Sequence, residues 1–185
     1  GKRTVHKNLG NIMLGFSILM TGMQTMSGAV APLKESPVFI DMLTMFSNPL
    51  AGILVGILFT AVLQSASATV GVLQALSVTG LLTFASAFPI VLGIGVGAAC
   101  PVLISAIGAN KNGKRTALVY LMNDLFGLVV WSVIFYTVNA FVHFTFMDMI
   151  MSPVSIALLN TVFRVATVCV LFPFIPKLEQ LVCYL

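Results

Sequence analysis

Gln64-Ser65-Ala66-Ser67-Ala68-Thr69 is a polar stretch in the middle of a segment, residues 42–110, that carries no charged side chain. An uncharged, apolar segment of this length is typical of a protein that spans a bilayer, because lipid penalises every charge. Bulk water cannot satisfy hydroxyl and carboxamide groups at such a place, so these groups must face protein, an aqueous cavity or a bound ligand. The stretch is therefore the first candidate for a functional site.

The two apolar runs beside this stretch predict how the chain folds around it. Residues 49–63 lie on one side and residues 70–82 on the other, and each run is shorter than the roughly 20 residues that a spanning helix needs. Two half-length helices that meet at a polar tip are typical of a re-entrant hairpin in a transporter. We therefore predict a re-entrant helical hairpin over residues 49–82, with its tip at residues 64–69.

Composition assigns the class of protein. Hydrophobic residues make up 59% of the chain, charged residues make up 8%, and the mean hydropathy is +1.09. A soluble domain would carry about a quarter charged residues, so we predict an all-α, polytopic (multi-pass) protein of the plasma (inner) membrane. The net charge of +4 comes mainly from basic clusters that flank apolar segments. Basic residues at such places set the membrane topology and do not indicate nucleic-acid binding.

Residues 1–185 are expected to form a single transmembrane module with about four spanning helices besides the hairpin. The predicted spans are residues 8–33, 84–107, 116–146 and 153–174, and residues 38–47 suit a short helix in the membrane interface. Within the second span, Gly93, Gly95 and Gly97 allow either close backbone packing or an unwound segment that faces a ligand. Residues 176–185 are expected to form a short amphipathic tail.

The distribution of basic residues supports this topology. With a cytoplasmic N-terminus and a hairpin that returns to its own side, the only basic residue left outside is Lys34. Arg164 lies within the membrane, and the basic residues that fall inside are Lys2, Arg3, Lys7, Lys111, Lys114, Arg115 and Lys177. A full crossing by residues 49–82 would move residues 111–115 outside, against the positive-inside bias.

Several motifs resemble one family of transporters. Gln64-Ser65-Ala66-Ser67-Ala68 resembles the Gln-Ser-Ser-Ser-Ala motif of the type II sodium–phosphate cotransporters and their bacterial relatives. Ser47-Asn48-Pro49-Leu50-Ala51-Gly52, Ile107-Gly108-Ala109-Asn110-Lys111-Asn112 and Pro153-Val154-Ser155-Ile156-Ala157 are similar to the second repeat of the bacterial members. The chain departs from the family pattern at Asp124 and Arg164, where the family has asparagines.

The resemblance implies one half of an inverted-repeat transporter, not an enzyme. It implies transport of an inorganic anion, with phosphate as substrate and sodium as the coupling ion. Two alternatives stay open: proton-coupled anion transport through Asp124, and a degenerate half-transporter with a role in assembly or regulation. A second repeat or a second copy is expected as partner, and no cofactor is expected.

Candidate binding residues occur at the hairpin tip and in the last two spans. Ser65, Ser67 or Thr69 could cap the second half-helix, whose N-terminus suits an oxyanion. Ionisable residues inside a membrane segment mark function by default, although Asp124 and Arg164 could equally form a structural ion pair. The candidate substrate- and ion-binding residues are Gln64, Ser65, Ser67, Thr69, Asn123, Asp124, Asn160 and Arg164. Catalytic and metal-ligating sets are not expected.

Overall fold

The computed structural model describes residues 2–175 and residue 177, so the predicted tail over residues 176–185 lies almost entirely outside the described residues. The described part is helical, as the composition predicts. Three short 3₁₀ turns lie at Ala31–Glu35, Thr145–Asp148 and Phe172–Phe174. The α-helices are α1 (Lys2–Val30), α2 (Pro37–Met45), α3 (Pro49–Leu63), α4 (Ala66–Ser77), α5 (Phe84–Gly97), α6 (Ala99–Ala106), α7 (Lys111–Val142) and α8 (Pro153–Leu171).

Helices α3 and α4 are the two short arms on either side of the polar stretch. Asn48 begins α3 with a side-chain cap on the N–H groups of Leu50 and Ala51, and Pro49 occupies the first helical position. Gln64 ends α3 in the left-handed conformation, with φ of 53°. Because Ser65 returns to extended backbone and begins α4 at once, the break between the arms is only two residues long.

Helix α3 packs against α5 along a seam of glycines, and the two helices run in parallel. A Cβ at Gly52 would meet the Pro89 ring, and one at Gly97 would meet Thr60. Residue numbers at the contacts therefore increase in the same direction along both helices. At Gly56 a Cβ would overlap the carbonyl oxygen of Ile90. The seam glycines are therefore required for close backbone approach, and this is the role of Gly93 and Gly97 among the two that the sequence left open. A Cβ at Gly95 would meet only the Phe163 ring, at 3.5 Å.

The parallel direction of α3 and α5 means that the intervening chain must come back to the side where α3 begins. The hydroxyl oxygens of Ser47 and Ser86 lie 3.2 Å apart, and the Ser86 hydroxyl donates to the carbonyl of Leu43 at 3.2 Å. Residues 48–83 thus leave and return at neighbouring points, and α3 and α4 form a helical hairpin.

Helices α7 and α8 complete the bundle around α5, in which every residue from Ser86 to Gly95 is buried. The N–H of Phe84 donates to the carbonyl of Met149 at 2.9 Å, and the N–H of Met151 donates to the carbonyl of Leu82 at 2.8 Å. These bonds join the starts of α5 and α8 at one end of the molecule. Because Phe88 near the start of α5 packs on Phe135 near the end of α7, α7 runs in the opposite direction to α5.

Three helical segments in the described part are long and apolar enough to cross a membrane: Phe84–Ala106, Lys111–Val142 and Pro153–Phe174. A fourth crossing results if α2 and α3, which are bent by 107° at their junction, count as one span. These segments confirm the predicted all-α, polytopic fold. Helix α1 is continuous over 29 residues but is not one of the three, so the span over residues 8–33 stays a prediction, as does the interfacial position of α2.

Candidate anion site at the hairpin tip

The hairpin tip is held by one helix cap and one side-chain hydrogen bond to the backbone. The Ser65 hydroxyl accepts from the N–H of Ala68 at 3.2 Å and so caps α4. The Thr69 hydroxyl donates back to the carbonyl of Ser65 at 3.0 Å. Of the three hydroxyl residues that could have been the cap, Ser65 is the one that fills this role. Ser67, whose hydroxyl oxygen lies 3.2 Å from that of Ser65, is exposed.

A cavity of about 460 Å³ opens beside the first turns of α4 and reaches α7 and α8. We call it the Arg164 cavity, after the one charged side chain among its described lining residues. Its walls are Ala66, Ser67, Val70 and Gln74 from α4, Tyr120 from α7, and Ala157, Asn160, Thr161 and Arg164 from α8. Hydroxyl, amide and guanidinium groups therefore meet in a space that α4 enters with its N-terminus.

Helix α8 presents the charged group of this cavity. Asn160 and Arg164 are four residues apart and so lie on one face of the helix, and the Nε–H of Arg164 donates to Oδ1 of Asn160 at 3.4 Å. The rotation of α8 is held by Trp131, whose Nε1–H donates to the Thr167 hydroxyl at 2.9 Å. Thr167 in turn donates to the carbonyl of Phe163 at 2.8 Å.

Helix α4 is tied to the start of α8 by one polar contact. The Gln74 amide, whose Nε2–H donates to the carbonyl of Pro153 at 2.9 Å, lies on the same face of α4 as Ser67, two turns later. This contact joins the C-terminal half of α4 to the first residue of α8. The two helices that carry most of the cavity lining are thereby held together at one end.

Asp124 lies on α7 outside the Arg164 cavity. Only 7% of its surface is exposed, and its Oδ1 accepts from the Asn123 amide at 3.1 Å. The other carboxylate oxygen, Oδ2, is buried without a hydrogen-bond partner among the described residues. Within residues 2–175 no ion pair closer than 4.0 Å joins Asp124 to Arg164, although the guanidinium is near enough for its charge to act on the carboxylate.

The eight predicted residues are thus divided between several environments. Ser67, Asn160 and Arg164 share the Arg164 cavity, Gln64 and Ser65 form the adjoining turn, and Thr69 is buried under the tip. Asn123 lines a neighbouring cavity between α7 and the end of α8, which also includes Tyr120. Of the predicted set, only Asp124 is a buried charge.

Sequence reasoning missed three residues that line the Arg164 cavity: Gln74, Tyr120 and Thr161. A signal was available for Gln74, since it is the one carboxamide of α4 and lies seven residues after Ser67, a spacing that places both on one face. Thr161 follows the predicted Asn160 directly. Tyr120 lies on another helix, and its position depends on how α7 packs.

Comparison with known proteins identifies the family. The Na⁺/Pi-cotransporter family model matches residues 37–159. The chain is similar to the uncharacterised protein YqeW of Bacillus subtilis (strain 168), with 24% identity over 125 residues, which cover 67% of this chain and 41% of that protein. No solved structure matches the chain significantly.

Two mammalian relatives have names that state a transport activity. Sodium-dependent phosphate transport protein 2A of Rattus norvegicus is 34% identical over 113 residues, which cover 57% of this chain and 17% of that protein. Sodium-dependent phosphate transport protein 2B of Homo sapiens is 26% identical over 126 residues, with coverages of 62% and 18%. The chain thus spans less than half the length of each relative. Because the family model covers most of its residues, the chain belongs to the Na⁺/Pi-cotransporter family, a family of membrane transporters rather than enzymes.

Proposed function

We propose that this chain forms one half of a transporter that carries inorganic phosphate across the plasma (inner) membrane, and that phosphate binds in the Arg164 cavity. The observation that carries the proposal is the meeting of Ser67, from the tip of the hairpin, with Arg164, from the middle of α8, in one cavity. An arginine in a membrane segment is costly and is retained where it meets a ligand or an ion path.

The chemistry of the cavity suits an oxyanion. Guanidinium, hydroxyl and amide N–H groups are donors, and charge-assisted bonds from a guanidinium to phosphate oxygens are among the strongest in proteins. The N-terminus of α4 adds a partial positive charge and unpaired backbone N–H groups. No acidic side chain of the described residues lines the cavity, so none of these lining groups would repel an anion by its charge.

Sodium is the coupling ion that family membership favours. The two mammalian relatives are named as sodium-dependent phosphate transport proteins. In this chain, the backbone carbonyls at the end of α3 and the Gln64 side chain, at the left-handed residue of the tip, are oxygens that suit a small cation.

Proton coupling is a second candidate, and one observation favours it. Asp124 is a buried carboxylate, and its Oδ2 has no hydrogen-bond partner in the described part of the chain. It lies on α7, the helix that lines the Arg164 cavity through Tyr120. A carboxylate inside a membrane segment is a common proton carrier in transporters. The proton would bind at Oδ2, since the Asn123 amide already donates to Oδ1.

A complete transporter is expected to need a partner, which is either a second repeat or a second copy of this chain. The match covers 17% of the rat relative and 41% of the bacterial one, which supports a module rather than a whole transporter. In alternating access, one half moves against the other around a central site. The competing function is a role in assembly or regulation, in which the chain is a half-transporter that binds no anion.

Uptake of radioactive phosphate into proteoliposomes tests the function and its coupling. We expect uptake to be driven by an inward sodium gradient if sodium is the coupling ion, and by an inward proton gradient without sodium if Asp124 is the carrier. Asp124→Asn should abolish only the proton-driven component. Gel filtration and a cooperative thermal unfolding transition show that the protein is folded. If such protein neither takes up nor binds phosphate, the assembly role remains as its function.

A further inference from the structure

Arg164 forms no ion pair with an acidic side chain among the described residues that line the Arg164 cavity. Its hydrogen bond is to the neutral Asn160, and a guanidinium has five N–H donors. The remaining donors have no acceptor among the described residues, and no carboxylate of residues 2–175 lies within 4.0 Å. Asp124 lies near, but it does not line the cavity and its Oδ1 is engaged by Asn123.

This charge is permanent and is placed deep in the membrane segment. Arg164 lies 11 residues after Pro153, about 16 Å along α8 at about 1.5 Å per residue. A guanidinium stays charged at every physiological pH. The guanidinium lines the cavity and forms no ion pair with a described residue, so its positive charge is available to a ligand there.

The same charge disfavours a cation in the cavity. A sodium ion that entered together with phosphate would lie beside a guanidinium, and like charges repel each other. A fixed guanidinium can instead supply the positive charge that a sodium ion would otherwise bring with the anion.

From these observations we infer that Arg164 is a built-in counter-cation, so that the Arg164 cavity binds phosphate without sodium. The inference rests on the proposed function, since it takes phosphate as the ligand of this cavity. It goes further by separating the anion-binding step from the coupling ion. Any sodium that drives transport would then act outside the Arg164 cavity.

The test compares phosphate binding in two salts. Radioactive inorganic phosphate is titrated onto the purified full chain in sodium chloride and in choline chloride at equal ionic strength and equal pH. We expect the Kd to agree within about twofold between the salts. This comparison uses the unaltered protein, so it does not depend on whether any variant folds.

Variants at Arg164 identify the group responsible. Arg164→Gln should weaken phosphate binding at least tenfold in both salts, whereas Arg164→Lys, which keeps the charge but not the planar fork, should lose less. Lys114→Gln removes the same charge from an exposed position at the start of α7 and should leave the Kd unchanged. Thermal unfolding of each variant checks that it is folded.

The outcomes distinguish failure of the inference from failure of the proposed function. Phosphate binding that requires sodium in the unaltered protein would overturn the inference and leave the proposed function standing. Unchanged affinity in a folded Arg164→Gln variant would also overturn it. No phosphate binding in either salt would overturn the proposed function and the inference together.

Discussion

Ser65 and Ser67 are two residues apart at the hairpin tip, yet their hydroxyls have different surroundings. The Ser65 hydroxyl accepts from the N–H of Ala68 and begins α4, whereas Ser67 lines the Arg164 cavity. An N-cap contributes to helix stability, and a cavity hydroxyl contributes to ligand binding. Under the proposed function, the two serines of one motif therefore divide a structural role from a binding role.

Replacement of these serines should separate the two roles experimentally. Ser67→Ala should weaken phosphate binding by about 1–2 kcal/mol, the scale of a hydrogen bond to a charged group, with little change in the unfolding temperature. Ser65→Ala should lower the free energy of unfolding by about 1 kcal/mol through loss of the cap. Phosphate titration and thermal unfolding measure the two effects, and Ser105→Ala on α6 is the control. Equal phosphate affinity in Ser67→Ala and the control would refute the binding role.

Asp124 and Arg164 are opposite charges on facing helices that do not form a salt bridge. Each hydrogen-bonds to a neighbouring asparagine instead, Asp124 to Asn123 and Arg164 to Asn160. In a low dielectric, two charges that do not touch still stabilise each other, because removal of one leaves the other without any countercharge.

We therefore expect Asp124→Asn combined with Arg164→Asn to be better tolerated than the sum of the two single changes. The difference should fall in the range of about 0.5–3 kcal/mol that is usual for interacting residues. Thermal unfolding of the two single variants and the double variant measures it. If the losses simply add, the two charges act independently and the predicted interaction is wrong.

The α3–α5 seam is the feature at the scale of elements that positions the hairpin. A Cβ at Gly93 would overlap the carbonyl of Ile53, as one at Gly56 would overlap that of Ile90. Small residues permit such approach where the hydrophobic effect gives helices no drive to associate. The α3 arm is therefore fixed to the central helix, whereas α4 meets α8 through side chains such as Gln74.

A methyl group at this seam should be costly, and one on α4 should not. Gly56→Ala should destabilise the protein by about 1–3 kcal/mol or more, because backbone atoms must move apart to accept it. Gly71→Ala is the matched control, since a Cβ there meets nothing within 4 Å and alanine favours helix. Thermal unfolding in detergent measures both, and equal stability of the two variants would contradict the close packing of α3 on α5.

For the whole molecule, the directions of the helices are consistent with the topology that the basic residues predict. Helices α3, α5 and α8 run one way and α7 runs the other, and the ends of the hairpin meet at the Ser47–Ser86 contact. If α5, α7 and α8 each cross the bilayer, both ends of the hairpin share one face with the residues before α8. The basic residues at the start of α7 then lie on the opposite face.

Cysteine labelling of intact cells tests this arrangement. In a background with Cys100, Cys169 and Cys183 replaced by alanine, Met45→Cys and Val78→Cys should both react with an impermeant reagent from outside; these side chains are 66% and 58% exposed. Asn112→Cys should react only after the membrane is permeabilised. Labelling of the Met45 and Val78 positions from different faces would mean that residues 49–82 cross the membrane.

Much of this molecule follows from local features of the sequence. Apolar run lengths predict helices, Asn48 and Pro49 mark where the first arm begins, and the polar stretch at residues 64–69 marks the hairpin tip, although the choice of Ser65 among three possible caps came from the structure. Each of these effects acts within a few residues along the chain, through backbone hydrogen bonding, capping and the cost of placing polar groups in lipid. The helical class and the tip could therefore be predicted without knowledge of how the helices pack.

The Arg164 cavity was decided by tertiary structure. The cavity brings together side chains from three helices, Ser67, Tyr120 and Arg164. Their meeting depends on the rotation of each helix about its axis and on its axial position relative to its neighbours. Those quantities are set by the glycine seam between α3 and α5 and by the Trp131–Thr167 contact between α7 and α8. A shift of one residue turns a helix by about 100°, because there are about 3.6 residues per turn. For this reason the sequence predicted Arg164 and Ser67 as candidates, whereas Tyr120 became a lining residue and Asp124 a separate buried charge only through packing.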